Sequence, residues 1–335
     1  MTRHFLIAGL GSIGRRHMTN LAAAHPGASF TVLRHQHATN PLCCQLGARI
    51  VTDRDAAIAG EYDLAVVSSA SANHIDVLPG LIARGTPLLV EKPIVTTPAD
   101  CDLVLDCLAT APQAVRVSGF NFRYLPSLKL IRELIQNGEL GTVVRASFTA
   151  GQWLGDWRKG TDYRQSYSAD AARGGGVELD LVHEIDLARW FFGDLDLQFA
   201  QSGRLSSLGL NSNDVSVMVM SPLAATGPIV QVALDYVAPQ RLRHYEFVGD
   251  RAAILWDISG RVELITAKSR QLLVENPDGF DVAQTYIDML AHIEETVHTG
   301  GWPAPLQDLA DGVASTRLAL AARDIGTNQG KRQTE

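Results

Sequence analysis

The segment GGGVELDLVHEIDLARW, from Gly174 to Trp190, places several titratable side chains directly behind three consecutive glycines: Asp180, His183, Glu184 and Asp186. A histidine changes its charge near neutral pH, so such a group can exchange protons with a ligand. A solvated helix face explains the same pattern, and these residues alone leave both interpretations open. We expect Glu178 and Glu184 to be ordinary polar positions.

A second chemical pattern lies at the start of the chain. Gly9, Gly11 and Gly14 form a G-x-G-x-x-G motif that follows an apolar run and opens a helical pattern, the context of a dinucleotide-binding turn. The first glycine permits the tight turn, the second lets the backbone approach a pyrophosphate, and the third allows close helix–strand packing. The helix N-terminus, with Ser12 and Ile13, supplies amides for the anion.

The residues that select the cofactor are expected at the end of the second strand, about 20 residues past the glycines. An acidic residue there would accept from the ribose 2′-hydroxyl of NAD, but this chain has Arg34 followed by His35. A guanidinium suits a 2′-phosphate, so the sequence favours NADP(H) and leaves NAD(H) possible. If Arg34 only stacks on adenine or faces solvent, both cofactors are usable.

A lysine ends the fifth apolar run, in the tripeptide Glu91-Lys92-Pro93. The carboxyl ends of parallel strands line the ligand crevice, so Glu91 and Lys92 are candidates for cofactor contact. The Lys92 ammonium could also donate to a substrate hydroxyl and stabilise the developing alkoxide. A solvated lysine at a strand end is the alternative.

Two folding patterns divide the chain. Residues 4–120 alternate apolar runs with helical patterns, which predicts an α/β domain with a parallel, doubly wound sheet buried on both faces. From about Pro126 a helix and a long strand precede short alternating strands, with turns at Gly249-Asp250 and Ser259-Gly260. This predicts an α+β domain with a large, mostly antiparallel open sheet, followed by helices over 285–298 and 306–322. The predicted domains are 1–122 and 123–335.

Composition excludes several classes of function. With 335 residues, 46% of them hydrophobic and 19% charged, the chain is ordinary globular material. The net charge of −7 argues against a nucleic-acid binder, which needs a basic surface. We find no signal peptide or membrane span, and the four cysteines lack metal-type spacing. We therefore expect a cytoplasmic protein with no metal site and with idle thiols.

Taken together, these motifs resemble the glucose–fructose oxidoreductase / inositol dehydrogenase / MocA family. The resemblance rests on the glycine motif, Glu91-Lys92-Pro93, GFNFRY (119–124), GGGVELDLVHEID and the closing GGWPAPLQDLADGVASTRLALAA. It implies a Rossmann domain, onto which the C-terminal helix packs back, and a sugar-binding domain whose open sheet builds homodimers or homotetramers. It also implies a nicotinamide cofactor and hydride transfer at a hydroxyl-bearing carbon of a small sugar, sugar derivative or cyclitol.

The resemblance also implies roles for the residues behind the glycines. In the family, a histidine takes the proton as hydride leaves the same carbon, and His183 matches it. The family aspartate lies four residues before the histidine, whereas here Asp180 lies three before and Leu179 occupies the usual place. Positions i and i+3 are neighbours on a helix, so Asp180 stays the expected partner of His183. Asp186 is expected to support the helix or a contact with the cofactor domain.

Further candidates flank these motifs. The resemblance places Asn121 and Arg123 near nicotinamide or substrate, and Ser68 and Ser69 beside the cofactor ribose, while His74 is expected to begin a helix. The loop before the glycines is rich in aromatic and arginine side chains, of which four are substrate candidates: Trp157, Arg158, Tyr163 and Arg164. Stacking and bidentate hydrogen bonds would suit a sugar, although an oligomer contact uses the same residue types.

The leading hypothesis is therefore an NAD(P)-dependent sugar or cyclitol dehydrogenase. Lys92 would hold the reacting oxygen, His183 would exchange its proton and Asp180 would tune His183. Two alternatives stay open. One is a sensor or regulator that binds the cofactor without turnover, and the other is a hydrolase or lyase that uses bound nicotinamide transiently. Loss of the lysine or histidine would mark a sensor, and both residues are present.

Overall fold

The computed structural model describes the backbone of residues 2–157, 160, 162–224, 226–276 and 281–332, and side chains up to residue 325. The chain divides into two compact units. Met1–Phe120 and Tyr286–Thr316 form the first, and Asn121–Thr285 and Arg317–Glu335 form the second. Two stretches of chain thus contribute to each unit, and the domain boundary between residues 122 and 123 stays a prediction.

The first unit is built on a parallel sheet, as predicted. Its strands lie in the order β3-β2-β1-β4-β5-β6, with the bounds β1 (His4–Ala8), β2 (Ser29–Leu33), β3 (Arg49–Val51), β4 (Leu64–Val67), β5 (Leu88–Val90) and β6 (Arg116–Ser118). The central strands are continuous apolar runs because both faces of the sheet are covered. The chain order reverses between β1 and β4, which puts the ligand crevice of such a fold at their carboxyl ends.

Five helices connect these strands. They are α1 (Ser12–Ala24), α2 (Pro41–Gln45), α3 (Arg54–Ile58), α4 (Leu78–Ala83) and α5 (Pro98–Thr110). Thr97 caps the start of α5, because its hydroxyl accepts a hydrogen bond from the Asp100 amide at 3.1 Å. The helix expected from His74 is instead a 3-10 turn over Ser71–Asp76 followed by α4. The short helices α2 and α3 were not predicted, since one turn leaves too little periodicity to detect.

The second unit holds a mostly antiparallel sheet of eight strands, as predicted. Its helices and strands are α6 (Pro126–Gln136), β7 (Val143–Gly151), α7 (Val177–Asp180), α8 (His183–Phe192), β8 (Leu195–Gly203), β9 (Val215–Pro222), β10 (Ile229–Asp235), β11 (Leu242–Gly249), β12 (Ala252–Asp257), β13 (Val262–Thr266) and β14 (Arg270–Val274). The order is β14-β13-β12-β11-β7-β10-β9-β8, and β7 pairs with β10 in parallel. The edge strands β8 and β14 were not among the predicted strands.

An aromatic cluster fixes α8 to one face of this sheet. The inward rings of Phe148 and Phe247 pack against Phe191 of α8, with centroids 6.1 and 4.7 Å away. Burial of such large apolar side chains dominates the energetics of a core. The first turn of α8, which carries His183, is therefore held in a set position relative to the strands.

Two helices complete the described chain, α9 (Val282–Thr299) and α10 (Leu309–Arg332). They agree with the predicted helical tail, although α9 extends beyond both predicted limits, and α10 begins three residues later and ends ten residues later than predicted. Among the described residues, no helix combines the length and apolarity that a membrane span requires.

Candidate active site

The glycine motif forms a close-packed turn between β1 and α1. A Cβ on Gly9, whose φ is +97°, would lie 2.3 Å from the Cα of Ser69, and a Cβ on Gly14 would lie 2.1 Å from the carbonyl oxygen of Gly9. A Cβ on Gly11 would meet no atom within 4 Å. The first and third glycines are thus required by the protein's own packing, whereas the second borders open space that a ligand can approach.

The N-terminus of α1 is suited to bind an anion. Its N-cap is Gly11, so no side chain caps the first amides, and the first turn carries no acidic residue. The partial positive charge of a helix N-terminus therefore lies beside the open space at Gly11, with Ser12 and Ile13 in the first turn. These features fit the pyrophosphate of a dinucleotide.

Arg34 and His35 directly follow β2, beside the glycine turn. The Arg34 side chain donates from Nη1 to the carbonyl of Ala38 at 2.9 Å, which holds it within its own loop. His35 is exposed, and its Nε2 lies 3.2 Å from Nδ2 of Asn73. Both side chains thus lie at the strand end where the sequence places recognition of the ribose.

The serines after β4 support the glycine turn. The Ser68 hydroxyl donates to the carbonyl of Gly9 at 3.0 Å. The carbonyl of Ser69 lies 3.1 Å from Nε2 of His74, a buried residue whose Nδ1 lies 3.0 Å from the carbonyl of Ile94. Burial lowers the pKa of His74, which favours the neutral ring. A neutral ring carries one N–H and donates to one of these two carbonyl oxygens, while the buried ring lies against both loops.

Lys92 lies in the turn after β5, and the Lys92–Pro93 peptide bond is cis. The preceding Glu91 is 6% exposed, and its Oε1 accepts from Nε2 of His17 at 2.7 Å. Its Oε2 accepts from the backbone N–H of Lys92 at 3.3 Å. The Glu91 carboxylate, predicted as a cofactor contact, is therefore engaged inside the protein.

The helix predicted behind the three glycines is interrupted. The first piece, α7, ends at Asp180, Leu181 has φ −101° and ψ 32°, and α8 begins at His183. The expectation that Asp180 and His183 share one continuous helix is therefore wrong, and the i, i+3 argument does not apply to them. Oδ2 of Asp180 accepts from the Tyr236 hydroxyl at 2.6 Å.

Tyr236 supplies a fixed hydrogen-bond donor to that carboxylate. Burial, and then the charge of Asp180, raise the pKa of Tyr236 well above its usual value, so its hydroxyl keeps the proton. The ring of Trp157 meets Tyr236 edge-on, with centroids 5.3 Å apart. The aromatic loop is thereby connected to Asp180.

The imidazole of His183 lies in a stack of planar groups. Its ring is parallel to Phe122 within 5°, with centroids 4.2 Å apart. The guanidinium of Arg243 lies 4.6 Å from the centre of Phe122. Because two groups so close to one ring exclude each other from the same side, Arg243 and His183 cover opposite faces of Phe122.

A buried carboxylate holds Arg243 in that stack. Oε1 of Glu184 lies 2.6 Å from Nε of Arg243 and accepts from the Tyr245 hydroxyl at 2.8 Å. Glu184 and Glu178 are both 0% exposed, so the expectation that they are ordinary polar positions is wrong. Burial raises the pKa of Glu178, and Asn213 donates to its Oε1 at 2.8 Å.

Arg123 and Asp186 form a buried, bidentate ion pair. Nε of Arg123 lies 2.8 Å from Oδ2, and Nη2 lies 2.7 Å from Oδ1. Asp186 thus supports its helix, as expected, whereas the predicted substrate contact of Arg123 has to coexist with a structural role. Asn121 donates to the Thr285 hydroxyl at 2.7 Å, and its Oδ1 is buried without a hydrogen-bond partner among the described residues.

The loop before the three glycines encloses a cavity of about 190 Å³, lined by Leu154, Trp157, Asp162, Tyr163, Gln165, Ser166 and Ser168. Nε1 of Trp157 is buried and has no hydrogen-bond partner in the part of the chain that the structure describes. Arg164 is exposed, with its guanidinium 5.0 Å from the centre of the Tyr163 ring. Arg158 lies outside the described residues. The cavity offers aromatic and polar groups, as a sugar site requires.

Family models match both halves of the chain. Residues 3–118 match the model described as "Oxidoreductase family, NAD-binding Rossmann fold", and residues 128–255 match the "GFO/IDH/MocA C-terminal domain". The chain belongs to the GFO/IDH/MocA oxidoreductase family. The resemblance found in the sequence is thus confirmed.

Individual members of the family are distant relatives. The rhizopine catabolism protein MocA of Rhizobium meliloti is 31% identical over 142 residues, which cover 42% of this chain and 41% of that protein. An inositol 2-dehydrogenase of Gluconacetobacter diazotrophicus is 27% identical over 196 residues, 57% of this chain and 54% of that protein. The aligned segments span 34% to 54% of the length of the first curated relatives.

A solved structure matches over nearly the whole chain. A levoglucosan dehydrogenase in complex with NADH and levoglucosan superposes with a TM-score of 0.82, covering 98% of each chain at 16% identity. At that identity the likeness shows the fold alone. Among the described residues, no group of three or more His, Cys, Asp or Glu is arranged to hold a metal ion.

Several site residues of this family member escaped sequence reasoning. They are His17, Phe122, Tyr236, Arg243 and Tyr245. Arg243 and Tyr245 lie on β11, and Tyr236 directly follows β10. All three are far along the chain from the residues they contact, so no local spacing identifies them. No spacing marked Glu178 and Glu184 as buried either, because the same short segment carries Asp180, His183 and Asp186 as further polar positions.

Proposed function

We propose that this protein transfers a hydride between a nicotinamide cofactor and a hydroxyl-bearing carbon of a sugar, sugar derivative or cyclitol. One observation carries the proposal: the glycine turn after β1 and Lys92 after β5 lie at the carboxyl edge of one sheet, on either side of β4. A cofactor and a polarising ammonium are needed at that edge for hydride transfer. Relatives named inositol 2-dehydrogenase and levoglucosan dehydrogenase support this substrate class.

The glycine turn and α1 would hold the cofactor pyrophosphate, with Ser68 and Ser69 beside the ribose. When bound, the nicotinamide ring accepts or supplies the hydride at its C4. We assign Arg34 and His35 to a 2′-phosphate, which makes NADP(H) the preferred cofactor. The open space beside Gly11 and the uncapped α1 support the pyrophosphate assignment.

Lys92 would donate a hydrogen bond from Nζ to the reacting oxygen, stabilising negative charge as it develops. His183 would exchange the proton of that oxygen, since an imidazole titrates near neutral pH. The stack on Phe122 fixes the plane of the His183 ring. Asp180, which is oriented by Tyr236, stays the predicted partner of His183.

The cavity at Trp157 and Tyr163 is our candidate for holding the rest of the substrate. Its aromatic faces suit the C–H faces of a sugar ring, and the side chains of Asp162 and Gln165 suit hydroxyl groups. The buried Nε1 of Trp157 is a donor available to a ligand. Substrate contacts of Asn121, Arg123, Arg158 and Arg164 stay predictions.

Cofactor preference is tested by fluorescence titration with NADPH and, separately, NADH. We expect wild type to bind NADPH more tightly than NADH. Arg34→Ala should lower the affinity for NADPH about 10- to 100-fold, since a charge-assisted hydrogen bond contributes about 1.5–3 kcal/mol. NADH affinity should change little. Equal weakening of both would contradict phosphate recognition by Arg34, and binding of neither by wild type would contradict the cofactor site.

Turnover is tested with myo-inositol and levoglucosan as probes, by following the absorbance of the reduced nicotinamide. Lys92→Ala and His183→Ala should abolish turnover while retaining cofactor binding. Lys268→Ala, in an exposed turn, is the matched control and should behave as wild type. Normal turnover by Lys92→Ala would refute its role. Cofactor binding without net redox change on a wider sugar panel would favour the sensor or the lyase instead.

We also propose that the second sheet forms a homodimer or homotetramer through the face opposite α8. Phe199 and Val219 are register partners on this face, and Phe199 is 50% exposed. A row of apolar side chains on an open sheet favours a second copy of the chain. Light scattering should show Phe199→Asp/Val219→Asp to be a monomer. Leu103→Asp, an exposed apolar residue on α5, should keep the wild-type mass.

A further inference from the structure

His17 and Glu91 form a buried pair that the proposed chemistry does not use. His17 is 0% exposed, and its Nε2 donates to Oε1 of Glu91 at 2.7 Å. His17 lies on α1, three residues after the last glycine of the cradle, and Glu91 immediately precedes Lys92. The pair thus joins the helix that begins at the cradle to the turn that carries the lysine.

The His17 ring is buried against an aromatic side chain. The Tyr286 ring meets the His17 ring edge-on, with centroids 5.4 Å apart. Burial, and then the charge of Glu91, raise the pKa of Tyr286, so its hydroxyl stays neutral. Nδ1 of His17 is buried without a hydrogen-bond partner among the described residues. The ring is therefore committed to Glu91 through Nε2, in a setting where a lost partner is costly.

The Lys92 turn is held on both sides of the lysine. Before it, Oε2 of Glu91 accepts from the Lys92 amide at 3.3 Å. After it, the carbonyl of Ile94 lies 3.0 Å from Nδ1 of His74, and the Ile94 amide donates to the Thr316 hydroxyl at 3.2 Å. The anchors after the lysine act on the backbone of Ile94 through two side chains, those of His74 and Thr316, whereas the anchor before it depends on the Glu91 carboxylate alone. Glu91 is in turn fixed by His17.

We propose that the His17–Glu91 hydrogen bond positions Lys92 relative to the cofactor cradle. This inference rests on the proposed role of Lys92 in the reaction. Both side chains are buried and bonded to each other, so we treat them as positioning residues. Loss of the bond leaves a buried carboxylate without its donor, and that carboxylate moves toward other donors together with the adjacent lysine. A displacement of about 1 Å at a reacting group costs up to about 100-fold in rate.

The test compares His17→Leu, which removes the donor, with His17→Gln, whose amide can still donate to Glu91. The matched control is His25→Leu. His25 follows the C-terminus of α1 and also pairs with a carboxylate, that of Glu294, but it lies about 12 Å farther along the helix axis. Affinity for NADPH and NADH, kcat and KM are measured for each variant.

A direct readout of Lys92 is also available. The chain has only five lysines, Lys92, Lys129, Lys159, Lys268 and Lys331. Peptide mass spectrometry of the reductively methylated protein gives the modification rate of Lys92, with the other four as internal references. This rate reports the environment of the lysine without requiring any turnover.

We expect His17→Leu to change the relative methylation rate of Lys92 and to lower kcat roughly 10- to 100-fold, with cofactor affinity within about twofold of wild type. His17→Gln should restore both quantities, and His25→Leu should leave both unchanged. If His17→Leu does not fold, His17→Asn replaces it, because its amide is one methylene too short to reach Glu91.

Unchanged methylation of Lys92 after loss of the donor would overturn the proposal, as would equal effects of the His17 and His25 substitutions. The turnover of Lys92→Ala tests the role of Lys92 separately. If Lys92→Ala keeps wild-type turnover, the proposed function of Lys92 fails. The methylation comparison would still decide whether His17 positions the lysine.

Discussion

Breaking the buried ion pair between Arg123 and Asp186 tests how much this pair contributes to the stability of the second unit. Asp186→Ala removes a carboxylate that is 1% exposed and leaves the Arg123 guanidinium, which is 6% exposed, without it. Burial, together with the neighbouring charge of Arg123, already lowers the pKa of Arg132. Two guanidinium groups would therefore lie close together with less negative charge between them.

The expected cost follows from burial and geometry. Removing one partner of a buried ion pair costs about 3–5 kcal/mol, because the other charge stays out of water. For a unit of this size, 1 kcal/mol corresponds to about 2–4 °C, so the melting temperature should fall by about 6–20 °C. Replacing both partners by apolar residues, as Arg123→Met/Asp186→Leu, should cost no more than about 1 kcal/mol, since no buried charge is left over.

Calorimetry and circular dichroism on the three proteins check this prediction. Asp324→Ala is the control, because Asp324 forms an ion pair with Arg323 in the same unit but is 51% exposed, and it should cost at most about 1 kcal/mol. An Asp186→Ala shift as small as that of the control would refute the reasoning, and so would a double variant as unstable as the single one. An unchanged KM for sugar in the double variant would also show that Arg123 does not contact substrate.

Three further predictions concern both units. Tyr236→Phe should lower the free energy of unfolding by about 1–3 kcal/mol, measured in urea, because it removes the donor to Asp180; no loss would contradict that bond. Gly11→Ala should lower the affinity for NADPH at least about tenfold in a fluorescence titration, with little change in melting temperature. Gly14→Ala should lower the melting temperature, because its Cβ has no room. Burial raises the pKa of Glu178, so the folded protein keeps a proton that the unfolded chain releases above about pH 4.3, and stability is lost as the pH rises. The melting temperature of Glu178→Gln should therefore rise relative to that of wild type as the pH increases from about 4 to about 7. A difference between the two melting temperatures that does not change with pH would contradict the raised pKa.

Much of the first unit could be predicted from its sequence. A parallel sheet that is covered on both faces requires apolar strands separated by helices. The order of strands and helices could therefore be predicted from the sequence. The third glycine of the motif reflects a local contact, because a Cβ on Gly14 would lie 2.1 Å from the carbonyl oxygen of Gly9. The N-cap at Thr97 is equally local. In each case the cause and the consequence lie close together along the chain.

The second unit was predictable in class but not in detail. The interruption of the helix between Asp180 and His183 left no mark on the sequence, because Leu181 and Val182 are compatible with a continuous helix. The two pieces bond to different tyrosines. Tyr236 donates to Asp180 of α7, and Tyr245 donates to Glu184 of α8. Tertiary contact outweighs local helix propensity at such a place.

By itself, then, the sequence determined the family, the two-part architecture, the cofactor turn and the identities of Lys92 and His183 as the groups to examine. Only the tertiary structure decided how those groups are held. The His17–Glu91 bond spans 74 positions of the chain and the Tyr236–Asp180 bond spans 56. Residue spacing encodes geometry over one or two turns of a helix, whereas a buried polar group finds its partner wherever folding brings a donor within about 3 Å.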